Sequence, residues 1–506
     1  MIVTLCRFFL GLVLVLCWSE MSFAQQSPNR SDVRIAWDYS SMQQLAPQGG
    51  YPRMKRLRNG DIWVIYENRK GDIHWIKSID NGVTWSAFEV LFSSYSYSIE
   101  GKDETISILA ANPELIELDN GDILFACNYR PSSDGVAPFS IGLKKLDHLT
   151  HRLSEVEILY QAGKKFIDGC WEPSFLQLPN GEVHIYFANE IPSRETNEQE
   201  ISVLKSNDYG STWSVPQTAS FRKERRDGMP VTYYSKDQIY LAIEDNKIDQ
   251  FKPYIIKTDV KDSWKKPVLA NSENRWYALE EPVDDSIYMG APYLIKLPND
   301  QFLLSYQTNR DRNHNWEHST MEVAIGNRGA KAFKNISQPF ALALNKEAKW
   351  NSLAIWDEST VVALSSTNFA SDKISPWLIK GYLIANSVNL NLDTAELFIG
   401  HHSLLSLKVK IFKDEEFLRL VLAGDKLDSN QGLKVKEYIL FIHGNQTRRI
   451  SIPPHELEKH IRLSELPPNF YLGMAIKYEN RSGEESLETL VQMDEMDPKT
   501  WIKIEL

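Results

Sequence analysis

Apolar and polar residues alternate along most of this chain, and the alternation comes in pairs of runs with a turn between them. Six such pairs stand out: "MKRLRNGDIWVIYE", "ELIELDNGDILFACNYR", "SFLQLPNGEVHIYFANE", "VTYYSKDQIYLAIED", "YLIKLPNDQFLLSYQ" and "SLAIWDESTVVALSS". A period of two is the mark of a strand with one buried face, and Asn-Gly or a polar equivalent between two runs supplies the positive φ of a tight hairpin. Gly60, Gly121, Gly181, Asp237, Asp300 and Glu358 mark the six turns at intervals of 61, 60, 56, 63 and 58 residues. Six units of about sixty residues, each with room for four strands, predict an all-β fold: a six-bladed β-propeller, in which radial repetition protects the sheet edges. "DIHWIKSID" and "EISVLKSND" supply third strands. The early run "VRIAWDYS", Val33 to Ser40, is expected to close the ring by pairing into the last blade.

From about residue 389 the period breaks but the alternation continues, in "LSLKVKIF", "EFLRLVLAG", "VKEYILFIH", "YLGMAIKY" and "WIKIEL". A smaller β-sandwich over 389–506 is the simplest reading, following a propeller over 25–388. Residues 1–24 read as a signal peptide: Arg7 precedes an apolar stretch from Phe8 to Trp18, and Ser22-Phe23-Ala24 sets small residues at −3 and −1, so cleavage is expected before Gln25. A lipoprotein signal with Cys17 as the modified residue is the alternative, disfavoured by Leu16. The expectation is export to the periplasm or the outside, with no other stretch as apolar as a membrane span. Cys127 and Cys170 remain in the mature chain; two cysteines make no disulfide scaffold, and whether they pair is left open.

Composition narrows the partners. A net charge of −11 with no basic stripe argues against nucleic acid. The 14 Trp, 21 Tyr and 21 Phe suit strands and also surfaces that stack on sugar rings. The histidines show no paired metal-ligand spacing, and a monomer is expected.

In a hairpin the start of the first strand and the end of the second lie together, so in a propeller twelve positions converge on one rim of the central channel. At the strand starts stand Arg53, Glu114, Glu172, the run Arg226 to Pro230, Ala291-Pro292-Tyr293 and Asn351. At the strand ends stand Glu67, Asn128 with Arg130, Asn189 with Glu190, Glu244 with Asp245, Gln307 and Ser365. Any one charged group at a strand end is ordinarily just solvated. A ring of carboxylates and amides in one narrow channel is different, because low dielectric and mutual repulsion separate the pKa values of paired acids, as glycoside cleavage requires.

Two octets, Ser78 to Trp85 and Ser206 to Trp213, share the pattern S-x-D-x-G-x-T-W, which resembles the Asp-box of sialidase-type propellers; both read as structural turns. "TDVKDSW", Thr258 to Trp264, is a degenerate third. The segments "YPRMKRL", "WEPSFLQLPNGEV", "RRDGMPV", "LAIED", "GAPYLIKLP" and "SYQ", spread in order over residues 33–388, resemble glycoside hydrolase family 93, the exo-α-1,5-L-arabinanases. The resemblance implies a catalytic pair at Glu172 and Glu244, retention of configuration, and release of arabinobiose from the non-reducing end of linear arabinan without cofactor or metal, with the nucleophile and the acid/base not assigned. Arg53, Glu114, Trp171, Asp168, Asp227, Asn189, Tyr293 and Gln307 are the candidate substrate-binding residues around that pair. A sialidase is the competing enzyme, weakened because it needs three arginines on different blades and the fifth and sixth blade starts carry none. A glycan-binding propeller without catalysis is the third reading. "LFIGHHS" and the run after it faintly resemble family 9 carbohydrate-binding modules.

Overall fold

The structure is a computed structural model that describes residues 32–247, 249–389, 407–424, 434–479, 483, 485–489, 496–498 and 501–506. The signal-peptide reading and the segment "LFIGHHS" lie outside the described residues. All long elements are strands.

Six antiparallel sheets occupy residues 33–385. The first strands of their hairpins, called first strands below, are Gly50–Arg56, Thr105–Glu117, Cys170–Gln177, Asp227–Ser235, Met289–Lys296 and Ala348–Asp357, and the second sheet also carries Tyr95–Ser98 at its edge. Each pairs with the strand that follows it in sequence, as the hairpin pattern predicts. The six first strands neighbour one another in a closed cycle, the sixth against the first. Chain order is therefore spatial order around a ring.

The N-terminal strand Val33–Gln44 closes that ring. It pairs antiparallel with Ser375–Ala385, the third strand of the sixth sheet, as expected from the sequence. Trp37 is the anchor: 3% exposed, it packs into a core shared by the fifth and sixth sheets and donates from Nε1 to Ser337 Oγ at 3.0 Å. Gly381 opposite has no room for a Cβ, which would stand 2.7 Å from the Trp37 ring.

Every first strand carries the same irregularity. The ladder shifts by one residue between Gly50 and Arg53, Ala111 and Glu114, Trp171 and Ser174, Gly228 and Val231, Gly290 and Tyr293, and Lys349 and Ser352. This is a β-bulge, one extra residue that bends the strand and re-aims a side chain. The extra residue is left-handed in all six: Tyr51 (φ 51°), Asn112 (47°), Glu172 (49°), Met229 (49°), Ala291 (49°) and Trp350 (56°). A proline follows in the first five and Asn351 in the sixth. Each such non-glycine residue costs about 1–3 kcal/mol and survives only where its surroundings enforce it.

The two S-x-D-x-G-x-T-W turns make the same bonds. Asp80 Oδ1 accepts from Thr84 N at 2.9 Å and Asp208 Oδ1 from Thr212 N at 2.8 Å, while Ser78 and Ser206 Oγ each accept from the glycine N–H at 2.8 Å. Both act as turn locks, as read from the sequence. In the degenerate seven-residue segment Trp264 is buried like a core residue, but its peptide N–H leans only on Thr258 Oγ1, at 3.5 Å.

Beyond Ala385 two further sheets share one apolar core, with Ile411, Leu418, Leu420 and Ile461 from one and Ile439, Leu472, Met474 and Ile504 from the other. Cys127 and Cys170 are both buried and free.

If the N-terminal strand is what closes the ring, Trp37→Ala destabilises the protein by roughly 3–5 kcal/mol, the range for truncating a buried aromatic, in a denaturant melt. A loss under 1 kcal/mol would show that the sixth sheet closes without it.

Candidate active site

The six left-handed residues form one layer across the ring. Tyr51, Met229 and Ala291 are nearly inaccessible and pack together with Trp350, although they come from sheets one, four, five and six. Tyr51 and Trp350 stack with centroids 6.3 Å apart. Asn112 and Glu172 complete the layer as its polar members, and Glu172 is its one carboxylate.

This corrects the phase of the sequence alignment, which set Arg53, Glu114 and Glu172 at equivalent positions. Glu172 is equivalent to Tyr51 and Asn112; Arg53, Glu114 and Tyr293 lie two residues further on, one layer deeper. There Arg53 and Glu114, 3% and 9% exposed, pair at 3.5 Å, and the guanidinium stands 4.0 Å from the Tyr51 ring centre and 5.0 Å from that of Tyr293. Glu114 and Tyr293 also border a cavity of about 320 Å³ on the turn side of the ring.

A second set of groups ties neighbouring sheets together. The residue opposite the bulge on each second strand is Glu67, Asn128, Ala188, Glu244, Gln307 or Ser366. In four cases it accepts from the peptide N–H of the left-handed residue in the next sheet. Glu67 Oε1 takes Asn112 N at 2.5 Å, Glu244 Oε2 takes Ala291 N at 2.8 Å, Gln307 Oε1 takes Trp350 N at 2.7 Å and Ser366 Oγ takes Tyr51 N at 2.7 Å. Around the third sheet other bonds serve. Asn128 Nδ2 donates to Cys170 O at 2.6 Å, and Glu190 accepts from Gly169 N at 2.9 Å while pairing with Arg226.

Glu172 and Glu244 therefore reach the mouth from adjacent sheets by different routes, one on the bulge and one as a latch. Burial pushes each carboxyl up to about 7. For Glu172, Arg130 opposes the shift, Glu244 and Glu190 add to it, and Arg226 opposes it; for Glu244, the Ala291 N–H and Arg226 oppose it. The two carboxyls are thus close enough to feel each other's charge, the condition under which one holds a proton while the other ionises. Glu67 is a third buried acid nearby, also raised by burial and opposed by Arg130.

The remaining candidates are mostly engaged by protein. Trp171 packs on Phe139 with centroids 4.8 Å apart, and the Arg130 guanidinium lies 5.0 Å from its ring centre. Asp168 caps its own loop, accepting from Lys165 N at 2.6 Å. Asp227 is fully buried, bound to Arg275 and Ser220, in a network that includes Asp245 and Arg222. Asn189 spends its amide on Tyr160 and Ser202, at 3.0 Å each. Gln307 is a latch. Among the described residues no group of three or more His, Cys, Asp or Glu could hold a metal ion.

No family profile and no curated relative matches the chain. Among solved structures it is similar to an α-L-arabinanase of Penicillium chrysogenum complexed with arabinobiose, at 16% identity and TM-score 0.47, covering 69% of this chain and 97% of that one. The GH93 α-L-arabinofuranosidase of Fusarium graminearum with arabinobiose is similar at 15% identity and TM-score 0.47, covering 70% and 97%. A Trypanosoma rangeli sialidase with the inhibitor DANA is similar at 8% identity and TM-score 0.43, covering 88% and 85%.

Sequence reasoning missed Tyr51, Asn112 and Trp350, each one or two residues before a position it named, and Tyr288, whose hydroxyl shares with a Glu244 oxygen the edge of the space left open at Gly290. The residue preceding proline at the head of five of the six first strands was the available signal.

The latch and the charge of Glu244 separate cleanly. Gln307 shows that a glutamine can serve as a latch, so at pH 5, where Glu244 is protonated, Glu244→Gln should melt within a degree or two of wild type. Glu244→Ala, which leaves the Ala291 N–H unpaired, should lose about 1–3 kcal/mol. The acids also set a pH dependence. Both folded-state values stand above the ordinary 4.5, so the folded protein holds protons that the unfolded chain releases between about 4.5 and 7, and the stability they contribute is present below that window and lost above it. The thermal midpoint of wild type should fall between pH 5 and pH 8 relative to Glu172→Gln/Glu244→Gln; parallel profiles would contradict the raised values.

Proposed function

We propose that the chain is an exported, exo-acting glycoside hydrolase that cleaves linear α-1,5-arabinan with retention, releasing arabinobiose. Its domains on this reading are a six-bladed sialidase-like propeller over 25–388 and a C-terminal β-sandwich over 389–506. The observation that carries the proposal is the pair Glu172 and Glu244, from adjacent sheets, both raised by burial to about 7, with the Glu244 charge adding to the shift of Glu172. Near neutral pH such a pair shares roughly one proton. The ionised member attacks the anomeric carbon, and the protonated one gives its proton to the leaving oxygen. The first then carries the sugar as an ester until water, deprotonated by the second, releases it.

The surroundings support an uncharged substrate. Arg130 donates to Asn128 at 2.6 Å and to Asn112, Arg226 is taken by Glu190 and by Asn197 at 2.9 Å, and Arg53 pairs with Glu114. A sialidase needs three guanidiniums free to clamp a carboxylate. Half-buried Trp350, backed by Tyr51, offers an apolar side instead, suited to a sugar face.

Chromatography of products from linear arabinan, arabino-oligosaccharides and sialyllactose tests the reading. A disaccharide should be the sole early product from arabinan, and Glu172→Gln and Glu244→Gln should each lose about 10²–10⁴-fold in rate. Cleavage of sialyllactose without action on arabinan would sink the proposal. A wild type inert on all three would leave a glycan-binding ring.

A further inference from the structure

The second strand of the fifth sheet, Phe302–Thr308, ends at the mouth, and the loop that leaves it carries Trp316 on a short 3₁₀ helix, Trp316–His318. At 38% this is the most exposed tryptophan among the described residues. An indole on a surface loop is ordinarily free to swing, but this one is fixed. Asn315 caps the helix, accepting from Glu317 N at 3.0 Å, and the Trp316 carbonyl takes Ser319 N at 3.1 Å and Ser319 Oγ at 2.7 Å. Arg312, only 6% exposed, ties the loop down by donating to the carbonyls of His318 and Ala343 at 2.7 Å each. The Lys349 ammonium lies 4.3 Å from the indole centre and is itself paired with Glu317 at 3.4 Å and Glu347 at 2.5 Å.

The same bonds connect the indole to the acids. Gln307 Oε1 accepts from the Trp350 peptide N–H, and its Nε2 donates to the Tyr288 hydroxyl, which Trp316 also engages. A Cβ on Gly290 would stand 2.3 Å from that hydroxyl and 2.5 Å from Glu244 Oε2, so the phenol that holds Trp316 borders the same small space as Glu244. The indoles of Trp316 and Trp350 lie 6.3 Å apart between centroids, inclined at 65°. Trp350 belongs to the layer of Glu172, and Trp316 stands on the rim beside it. Together they make a stepped apolar wall that runs outward from the acids.

We propose that Trp316 is the platform for a second sugar ring: with one furanose at the acid pair against Trp350, the next unit of the same chain stacks on the Trp316 indole. An indole that only packed its loop would be covered by its neighbours, as Trp264 is at 1%. Trp316 is held from several directions and still open, and a platform fixed beforehand gives up little freedom when a ligand arrives. The inference rests on the arabinan reading above and gives its disaccharide product a physical cause, since a wall of two indoles accommodates two units.

Calorimetric titration of Glu172→Gln/Glu244→Gln, which binds without turnover, with arabinobiose and with methyl α-L-arabinofuranoside tests the platform. Adding Trp316→Ala should weaken arabinobiose about tenfold, the order of one stacked ring, and leave the monosaccharide within about twofold. Trp316→Phe should recover most of the loss, because a ring remains at the site. No loss for arabinobiose, or an equal loss for both sugars, overturns the proposal. Should Trp316→Ala not fold, Trp316→Leu decides, since it keeps apolar bulk without a flat face: a loss confined to the disaccharide supports the platform, and unchanged binding overturns it. In the otherwise wild-type protein, Trp316→Ala should raise KM for arabino-oligosaccharides about tenfold with little change in kcat. Arabinobiose bound through Trp316 by a wild type that cleaves no arabinan defeats the hydrolase reading alone. Arabinan cleavage that Trp316→Ala leaves unchanged defeats the platform alone, and a protein that binds neither sugar overturns it as well.

Discussion

The ring depends on one repeated constraint: a left-handed residue at the head of every first strand, in four of the six held by a bond from the neighbouring sheet. The bulge bends six strands inward by the same device, and the strain of six positive φ angles, about 1–3 kcal/mol each, has to be offset by contacts that no single sheet can make. Four latches across sheet junctions and the packed layer of Tyr51, Met229, Ala291 and Trp350 provide those contacts. Sheet curvature, ring closure and the geometry of the mouth are thus one cooperative arrangement.

Positive φ at Glu172 would, in isolation, invite a catalytic explanation. Five equivalent residues with the same φ and no candidate chemistry show that the strain belongs to the architecture, and that Glu172 inherits it. The same holds for Glu244, whose hydrogen bond to Ala291 N has counterparts made by Glu67, Gln307 and Ser366. What sets the pair apart is charge and placement: a carboxylate on the bulge and a carboxylate latch on adjacent sheets, with Arg130 and Arg226 on either side.

Much of the fold was legible because strand alternation and turn residues are local signals that recur. The six hairpins, the closing strand Val33–Gln44 and the β character of the tail all follow from period-two patterning. The site was legible only in part, and the reason is physical. Counting by twos assumes an unbroken pleat, and a bulge inserts a residue that resets the phase, so Arg53 and Glu114 were aligned with Glu172 although they sit a layer below it. Asp227 and Asn189 lie at the right end of their strands, but their polar atoms are spent on Arg275 and Ser220 in one case and on Tyr160 and Ser202 in the other. No sequence pattern reports how a side chain's bonds are already committed. Tyr288 precedes its strand and carries no repeat signal, so only its place beside Gly290 reveals it.

The third sheet is where the repeat and the chemistry meet. Its two junctions are those without the common latch: Asn128 turns to the Cys170 carbonyl, and Ala188 has no polar atom to offer. The Glu190 carboxylate, bound to Gly169 N and paired with Arg226, spans from the end of the third sheet to the start of the fourth instead. That exchange replaces a neutral-donor contact by an ion pair within the field of both Glu172 and Glu244. An architecture held by four of six equivalent bonds can vary the other two, and the junctions it varied flank Glu172. Groups that secure the ring and groups that set the acidity of the pair are therefore partly the same groups, which couples the stability of this face to its protonation.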